Sequence, residues 1–166
     1  GQEIGTTLIQ MAAAYSCIAN GGTYIQPAIA KGIYTPGQGL SPFENRRRHR
    51  VVSEKTADRV LAMLEKVVRL GTGRRALSMQ YNIAGKTGTA QKAGPNGYMK
   101  DVYIASFAGI APAEKPLITV ILTVDEPRKQ HYGGVVAAPA VKEIIERTLN
   151  YLGAPHRRTF CDGEYR

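Results

Sequence analysis

A run of glycine, lysine and threonine residues at positions 85 to 90 is the part of the sequence whose residue types and spacing could do chemistry. Gly85-Lys86-Thr87 matches the end of a phosphate-binding loop, in which backbone N–H groups and a lysine hold the phosphates of a nucleotide. Such a loop also needs a glycine five residues earlier and a helix directly afterwards. Gln80 occupies the first position, and Thr89 to Lys92 continue a strand pattern, so the sequence argues against a nucleotide site.

A second glycine-rich segment, Gly71-Thr72-Gly73-Arg74-Arg75-Ala76, has the spacing of a dinucleotide-binding fingerprint. That fingerprint must follow a strand and open a helix. Here the segment follows a helical pattern and opens no convincing helix, so we interpret it as a helix stop followed by a basic turn.

Two amphipathic helices are predicted before the Lys-Thr-Gly segment. The first is expected to start after Thr6 or Thr7 as N-cap and to end at Asn20-Gly21-Gly22, where glycine allows a positive φ. The second is expected to start after Ser53 as N-cap and to end at Gly71-Thr72-Gly73. Between them, broken β-prone pieces predict small hairpins and loops.

Three strand patterns follow. Tyr81 to Gln91 and Val102 to Ile110 are separated by the turn signal Gly94-Pro95-Asn96-Gly97, which predicts a hairpin. Both faces of the second strand are largely apolar, so it should be central and covered on both sides. Leu117 to Val124 is a third strand, and its short connection to the second predicts an antiparallel neighbour.

A last helix is predicted from near Pro139 to just before Gly153, with an apolar face that should pack on the sheet. The fold class is therefore α/β (α+β), an antiparallel sheet packed by helices. Residues 1–153 are expected to form one portion of a domain, and the polar residues 154–166 are expected to be a disordered tail.

Bulk composition fits a globular piece of 166 residues with 43% hydrophobic content and a formal net charge of +9. No apolar run is long enough to span a bilayer. Residues 46 to 50 form a dense basic cluster that could bind a polyanion, although such a run is more typical of a solvated loop and has no interleaved aromatics.

Metal and disulfide chemistry have no support in the sequence. Cys17 and Cys161 provide no disulfide framework, and His49, His131 and His156 lie at no ligand spacing from one another or from a cysteine. We therefore expect no metal and no cofactor.

The context of the Lys-Thr-Gly triplet resembles class B penicillin-binding proteins along nearly the whole chain. Lys-Thr-Gly is one of three motifs that these proteins share with serine β-lactamases. The resembling segments, in the family's order, are Gln10 to Gly22, Gly71-Thr72-Gly73, Ala84 to Lys92, Ser106 to Pro112, Asp125-Glu126-Pro127 and Tyr132 to Pro139. The resemblance implies part of the penicillin-binding transpeptidase or serine β-lactamase-like fold.

The resemblance also implies site residues. Lys86 and Thr89 would be catalytic: Lys86 would supply positive potential, and the backbone N–H of Thr89 would form half of an oxyanion hole. The hydroxyls of Thr87 and Thr89 would bind the substrate carboxylate, while Gly88 would allow close approach to the strand. Tyr132-Gly133-Gly134 resembles a substrate-binding loop bordering the cleft, but could equally be only a flexible turn before a helix.

Two of the three family motifs do not occur in these residues. No serine is followed three residues later by lysine, and none begins a Ser-x-Asn triplet; the serines are Ser16, Ser41, Ser53, Ser78 and Ser106. The chain also begins without an initiator methionine, so we interpret it as the C-terminal part of a transpeptidase domain. Alone it is predicted to be inactive, whereas the full-length protein would be a serine D,D-transpeptidase of peptidoglycan synthesis.

Two alternatives remain at this point. The same fold could serve a D,D-carboxypeptidase or a β-lactamase-like hydrolase or sensor, and the basic cluster could mark a noncatalytic polyanion-binding module. The resemblance favours the septal, cell-division subtype over the elongation subtype. It implies D-alanyl-D-alanine stem peptides, β-lactams and other cell-wall synthesis proteins as partners, no nucleic acid, and a location outside the cytoplasmic membrane through an N-terminal anchor.

Overall fold

Hydroxyl side chains start the two longer helices of the N-terminal half, as predicted. In this computed structural model, which describes residues 4–43, 47–95 and 97–157, helix α1 spans Leu8–Ala19 and helix α2 spans Glu54–Leu70. The hydroxyl of Thr7 accepts a hydrogen bond from the backbone N–H of Gln10, whose side chain accepts one from the Thr7 N–H. Ser53 caps α2 by accepting from the N–H of Thr56 at 3.1 Å.

Three antiparallel strands form the main sheet. Strands β5 (Ala84–Gly94), β6 (Gly97–Ala111) and β7 (Ile118–Asp125) lie in the order β5-β6-β7, which confirms the predicted hairpin and the central position of β6. Lys86 lies opposite Ala108 in the β5–β6 register. The sheet therefore leaves one edge of β5 without a neighbouring strand in the described part of the chain.

Strand β5 begins three residues later than predicted because side chains hold the preceding segment in a turn. The buried hydroxyl of Ser78 accepts from the N–H groups of Gln80 and Tyr81. The Tyr81 hydroxyl donates to Asn150 at 2.7 Å, and burial raises the pKa of this tyrosine.

Helices cover both faces of the sheet, as expected for β6. One face packs against helix α4 (Ala138–Tyr151), which begins next to Pro139 as predicted. The core on this face contains Tyr81, Phe107 and Ala111 together with the α4 residues Val141, Ile145 and Leu149. The other face packs against α1 and α2 through Ala84, Ile110, Tyr15, Ile18, Leu61 and Leu64. Burial of these apolar side chains fixes the direction in which β5 presents its own.

Two small antiparallel strand pairs occupy the region between α1 and α2, and only the second is a hairpin. Strand β1 (Thr23–Ile25) pairs with β4 (Arg48–Arg50), and β2 (Gly32–Thr35) pairs with β3 (Gly39–Pro42). The basic cluster is thus partly a strand and not the solvated loop that we expected, although its first residue, Arg46, lies outside the described residues. Arg50 donates to the carbonyl oxygens of Gly21 and Val52, which gives it a structural contact.

The start of the predicted tail is attached to the domain. Arg157 donates from its backbone N–H to the carbonyl of Gln80 at 2.7 Å and from its side chain to Met79. Disorder is therefore a wrong description of residues 154–157, while residues 158–166 lie outside the described part. No helix in the described ranges combines the length and apolarity needed to cross a bilayer.

Candidate active site

The Lys-Thr-Gly segment lies in the exposed edge strand β5. Lys86, Thr87, Gly88 and Thr89 are all extended within it. Successive side chains of a strand point to opposite faces, so Thr87 and Thr89 share the face covered by α4, and Lys86 and Gly88 share the other. The free edge of β5 runs past all four residues.

A groove of about 350 Å³ lies beside the two threonines. Three segments meet there: β5 provides Thr87 and Thr89, the turn after α2 provides three residues, and the segment before α4 provides four. The lining residues outside β5 are Thr72, Arg74, Arg75, Tyr132, Gly133, Gly134 and Val135. Five of the predicted substrate-binding residues thus come together, namely Thr87, Thr89, Tyr132, Gly133 and Gly134.

Lys86 is not among the residues that line this groove. Its side chain is exposed and folds against its own strand, so that Nζ donates to the carbonyl oxygen of the next residue, Thr87, at 3.0 Å. The Thr87 hydroxyl oxygen lies 3.5 Å from the same Nζ. The lysine ammonium therefore lies next to the strand hydroxyl without projecting into the groove.

Hydrogen bonds hold the two threonine hydroxyls in place. The hydroxyls of Thr72 and Thr87 lie 2.9 Å apart, which connects the turn after α2 to β5. The Thr89 hydroxyl accepts from the backbone N–H of Gly133 at 3.1 Å. Each contact leaves the threonine with further hydrogen-bonding capacity toward the groove.

Residues 132 to 134 begin a short helix, with Tyr132 as its N-cap, and do not form a flexible turn. Helix α3 spans Gly133–Val136 and directly precedes α4. Gly133 and Gly134 are buried, while Tyr132 is 57% exposed. A Cβ at Gly133 would overlap the carbonyl oxygens of Gly88 and Ser106, and one at Gly134 would overlap that of Thr72. Glycine is therefore required for α3 to lie directly on the strands and on the turn after α2.

Tyr132, which lines the groove, belongs to a group of aromatic rings. The His131 ring stacks on Tyr103 with centroids 4.2 Å apart, and its other neighbour is Tyr132 at 4.3 Å. His131, which has no metal-ligand spacing in the sequence, thus packs between two tyrosines, one of which lines the groove. Among the described residues, no cluster of histidine, cysteine or carboxylate side chains is arranged to hold a metal ion.

Gly88 faces the protein's own Ser106. A Cβ at position 88 would overlap the Ser106 hydroxyl, while the next atom, Ser106 Cβ, would lie at 3.7 Å. The missing side chain at Gly88 is therefore explained by packing between β5 and β6.

Replacing Gly88 with alanine is expected to lower the free energy of unfolding by about 1–3 kcal/mol through overpacking. Adding Ser106→Ala should recover most of that loss because it removes the overlapping hydroxyl. Thermal unfolding of the two variants and of Ser106→Ala alone measures this coupling. If Gly88→Ala and the double variant Gly88→Ala/Ser106→Ala are equally destabilised, the Ser106 hydroxyl is not the obstacle.

Sequence reasoning missed Thr72, Arg74 and Arg75. We interpreted residues 71–76 as a helix stop and a basic turn, and Gly71-Thr72-Gly73 as a segment resembling the family, without assigning any of them to the site; their position brings a hydroxyl and two cations to β5. The short 3₁₀ helix Arg74–Ala76 anchors this segment through buried Ala76. The signal for this was the Gly71-Thr72-Gly73 segment, whose turn places the residues after α2 against the strand.

The arrangement suits recognition of a carboxylate on an extended peptide. Hydroxyls and cations lie beside a strand edge that a peptide can extend. A nucleophile is not part of it: among the described serines, Ser106 lies under Gly88, and buried Ser78 donates to Glu146.

Comparisons with known proteins agree on one family. The profile described as "Penicillin binding protein transpeptidase domain" matches residues 1–146. The chain is 39% identical to stage V sporulation protein D of Bacillus subtilis, over 99% of this chain and 26% of that protein. It is 38% identical to penicillin-binding protein PbpB of Mycolicibacterium smegmatis, over 93% of this chain and 26% of that protein.

Solved structures show the same similarity. Penicillin-binding protein 3 of Mycobacterium tuberculosis, complexed with ampicillin, superimposes with a TM-score of 0.87 at 35% identity, covering 98% of this chain and 38% of that one. The transpeptidase domain of Burkholderia pseudomallei penicillin-binding protein 3 has a TM-score of 0.79 at 37% identity, covering 96% and 46%. The chain spans about a quarter of the length of the curated relatives it matches.

Proposed function

Because this chain belongs to the class B penicillin-binding protein transpeptidase family, we propose that it forms the substrate-strand part of a serine D,D-transpeptidase that cross-links peptidoglycan and is acylated by penicillins. In that reaction a serine hydroxyl attacks the carbonyl between two D-alanines, the terminal D-alanine leaves, and an acceptor amine then releases the acyl group from the serine. The chain contributes binding and electrostatic groups to these steps.

The observation that carries the proposal is the edge strand beside a groove lined with hydroxyls. A stem peptide would pair with the free edge of β5 as an added strand, with its terminal carboxylate accepting from the hydroxyls of Thr87 and Thr89. Alternate residues of an antiparallel edge strand turn both backbone groups outward, so the Thr89 N–H would face the same edge as the Thr87 carbonyl. That N–H would donate to the developing oxyanion.

Lys86 would act from the same edge. Its ammonium already reaches the Thr87 carbonyl and hydroxyl oxygens, so it can place positive potential beside the scissile bond and orient the Thr87 hydroxyl. The backbone of β5, paired to β6 over its length, supplies the rigid support that such preorganisation needs.

The nucleophile would come from outside these 166 residues, since no serine in them begins a Ser-x-x-Lys or Ser-x-Asn motif. A fluorescent penicillin should therefore label the full-length protein covalently and leave the 166-residue chain unlabelled, as seen on a denaturing gel. Denatured full-length protein is the control for nonspecific labelling. Covalent labelling of the chain alone would contradict the assignment of the nucleophile.

Transfer is distinguished from hydrolysis by its product. The full-length protein, given a D-alanyl-D-alanine stem peptide with and without an acceptor amine, should form mainly cross-linked product when the amine is present. Hydrolysed peptide as the dominant product under both conditions would instead indicate a carboxypeptidase or a β-lactamase-like hydrolase.

We assign the full-length protein to the septal subtype and to the outer face of the cytoplasmic membrane. The name of one relative, an FtsI homolog of Mesostigma viride, supports the subtype at 34% identity. Stem peptides are exposed on that side of the membrane, which is the physical reason for the location. Partners among other cell-wall synthesis proteins would be reached through the full-length protein.

A further inference from the structure

Two arginines that the family resemblance does not assign line the groove beside the strand hydroxyls. Arg74 and Arg75 lie in the 3₁₀ helix that follows α2, and both side chains are exposed. In the described ranges, neither guanidinium forms an ion pair or a side-chain hydrogen bond. Both cations are therefore available to an anionic ligand.

The charged side chains that line the groove are all positive. Its lining contains two arginines and, among the described residues, no aspartate or glutamate. Lys86 belongs to the other face of β5, and its ammonium is directed to the Thr87 carbonyl. The cations that line the groove are thus guanidinium groups, while the Lys86 ammonium lies outside the lining, 3.5 Å from the Thr87 hydroxyl.

The segment carrying the arginines is fixed against the site. The Gly73 N–H donates to the Val67 carbonyl at 3.0 Å, Ala76 is fully buried, and the Thr72 hydroxyl lies 2.9 Å from that of Thr87. Because the backbone is held on both sides of Arg74 and Arg75, their side chains start from a defined position next to the strand.

We propose that Arg74 and Arg75 supply the counter-charge for the terminal carboxylate of the substrate, a proposal that rests on the function inferred above. Neutral hydroxyls position a carboxylate but do not compensate its charge, whereas a planar guanidinium can donate two parallel hydrogen bonds to it. The arginines and Lys86 thus have different roles. The arginines bind the carboxylate in the ground state, and Lys86 acts on the acyl-transfer step.

The test compares two ligands that differ in this charge. Benzylpenicillin carries a free carboxylate, and its methyl ester does not. The second-order rate constant for acylation of the full-length protein is measured with each, for the unmodified protein and for the double variant Arg74→Gln/Arg75→Gln. Removing charged hydrogen bonds should lower the acid-to-ester ratio by about 10- to 100-fold. Arg74→Lys/Arg75→Lys should retain an intermediate ratio because the charge remains.

Arg59→Gln is the matched control, since Arg59 is exposed on α2 and does not line the groove. It should keep the ratio of the unmodified protein. The proposal is overturned if the double variant keeps that ratio, or if Arg59→Gln lowers it equally, which would indicate a long-range field. Failure of the proposed function looks different: the unmodified protein would be acylated by neither ligand.

Discussion

Replacing Lys86 with alanine in the full-length protein is expected to slow acylation by benzylpenicillin by about 100- to 1000-fold, the usual loss when one preorganised electrostatic group is removed from such a site. The lysine ammonium lies 3.0 Å from the Thr87 carbonyl and 3.5 Å from the Thr87 hydroxyl, at the edge where the substrate would lie. Stopped-flow or quenched labelling with fluorescent penicillin measures the rate. The loss should fall mainly on the acylation step at saturating ligand.

Lys92→Ala is the matched control for that experiment. Lys92 lies on the same strand as Lys86, but its ammonium pairs with Glu126 at 2.7 Å and Asp125 at 2.9 Å. A hydrogen bond to Glu126, and to a lesser extent one to Asp125, raises the pKa of Lys92. Its removal should leave acylation within a few-fold of the unmodified protein. Equal losses for the two variants would remove any special role for Lys86.

Gly133→Ala is expected to have the largest structural effect. The added Cβ would overlap two backbone carbonyl oxygens, those of Gly88 and Ser106, and neither can rotate away as a side chain would. Helix α3 must then move off the strands, and the Thr89 hydroxyl loses its contact with the Gly133 N–H. We expect a loss of about 3 kcal/mol or more in unfolding free energy, together with at least a tenfold loss of acylation.

Gly5→Ala controls for the loss of glycine itself, since a Cβ there meets nothing within 4 Å. Its thermal midpoint and acylation rate should equal those of the unmodified protein. A Gly133→Ala variant with an unchanged thermal midpoint would mean that α3 does not rest on β5 and β6 as described.

Local sequence signals predicted the elements well where the determining contacts are local. The hydroxyls of Thr7 and Ser53 cap their helices through residues only three positions away. Strand β6 could be recognised as central because both of its faces are apolar, a property of its own residues. The Lys-Thr-Gly strand was predicted from its own residue pattern and the turn signal that follows it, together with the family resemblance.

Contacts between distant residues account for what the sequence did not reveal. The late start of β5 depends on Tyr81 reaching Asn150 on α4, and the attachment of Arg157 depends on the Gln80 carbonyl. Helix α3 starts with two glycines, which have low helix propensity, and is stabilised by its fit against β5 and β6.

The sequence motif also did not predict that Lys86 and the two arginines lie on different sides of β5. The family resemblance implied that Lys86 and the two threonines act together on one substrate. The strand alternation instead puts Lys86 and the two hydroxyls on opposite faces, with only the free edge in common. Arg74 and Arg75 reach the hydroxyl face because α2 ends against β5, a relation that no local pattern encodes.

The most direct measurement is a crystal structure of the full-length protein after acylation by a penicillin. The bound penicillin should lie along the free edge of β5, with its carboxylate within hydrogen-bond distance of the Thr87 and Thr89 hydroxyls and its acyl oxygen at the Thr89 N–H. An adduct whose carboxylate contacts neither hydroxyl, and whose acyl oxygen is stabilised elsewhere, would contradict the assignment of this strand to the substrate.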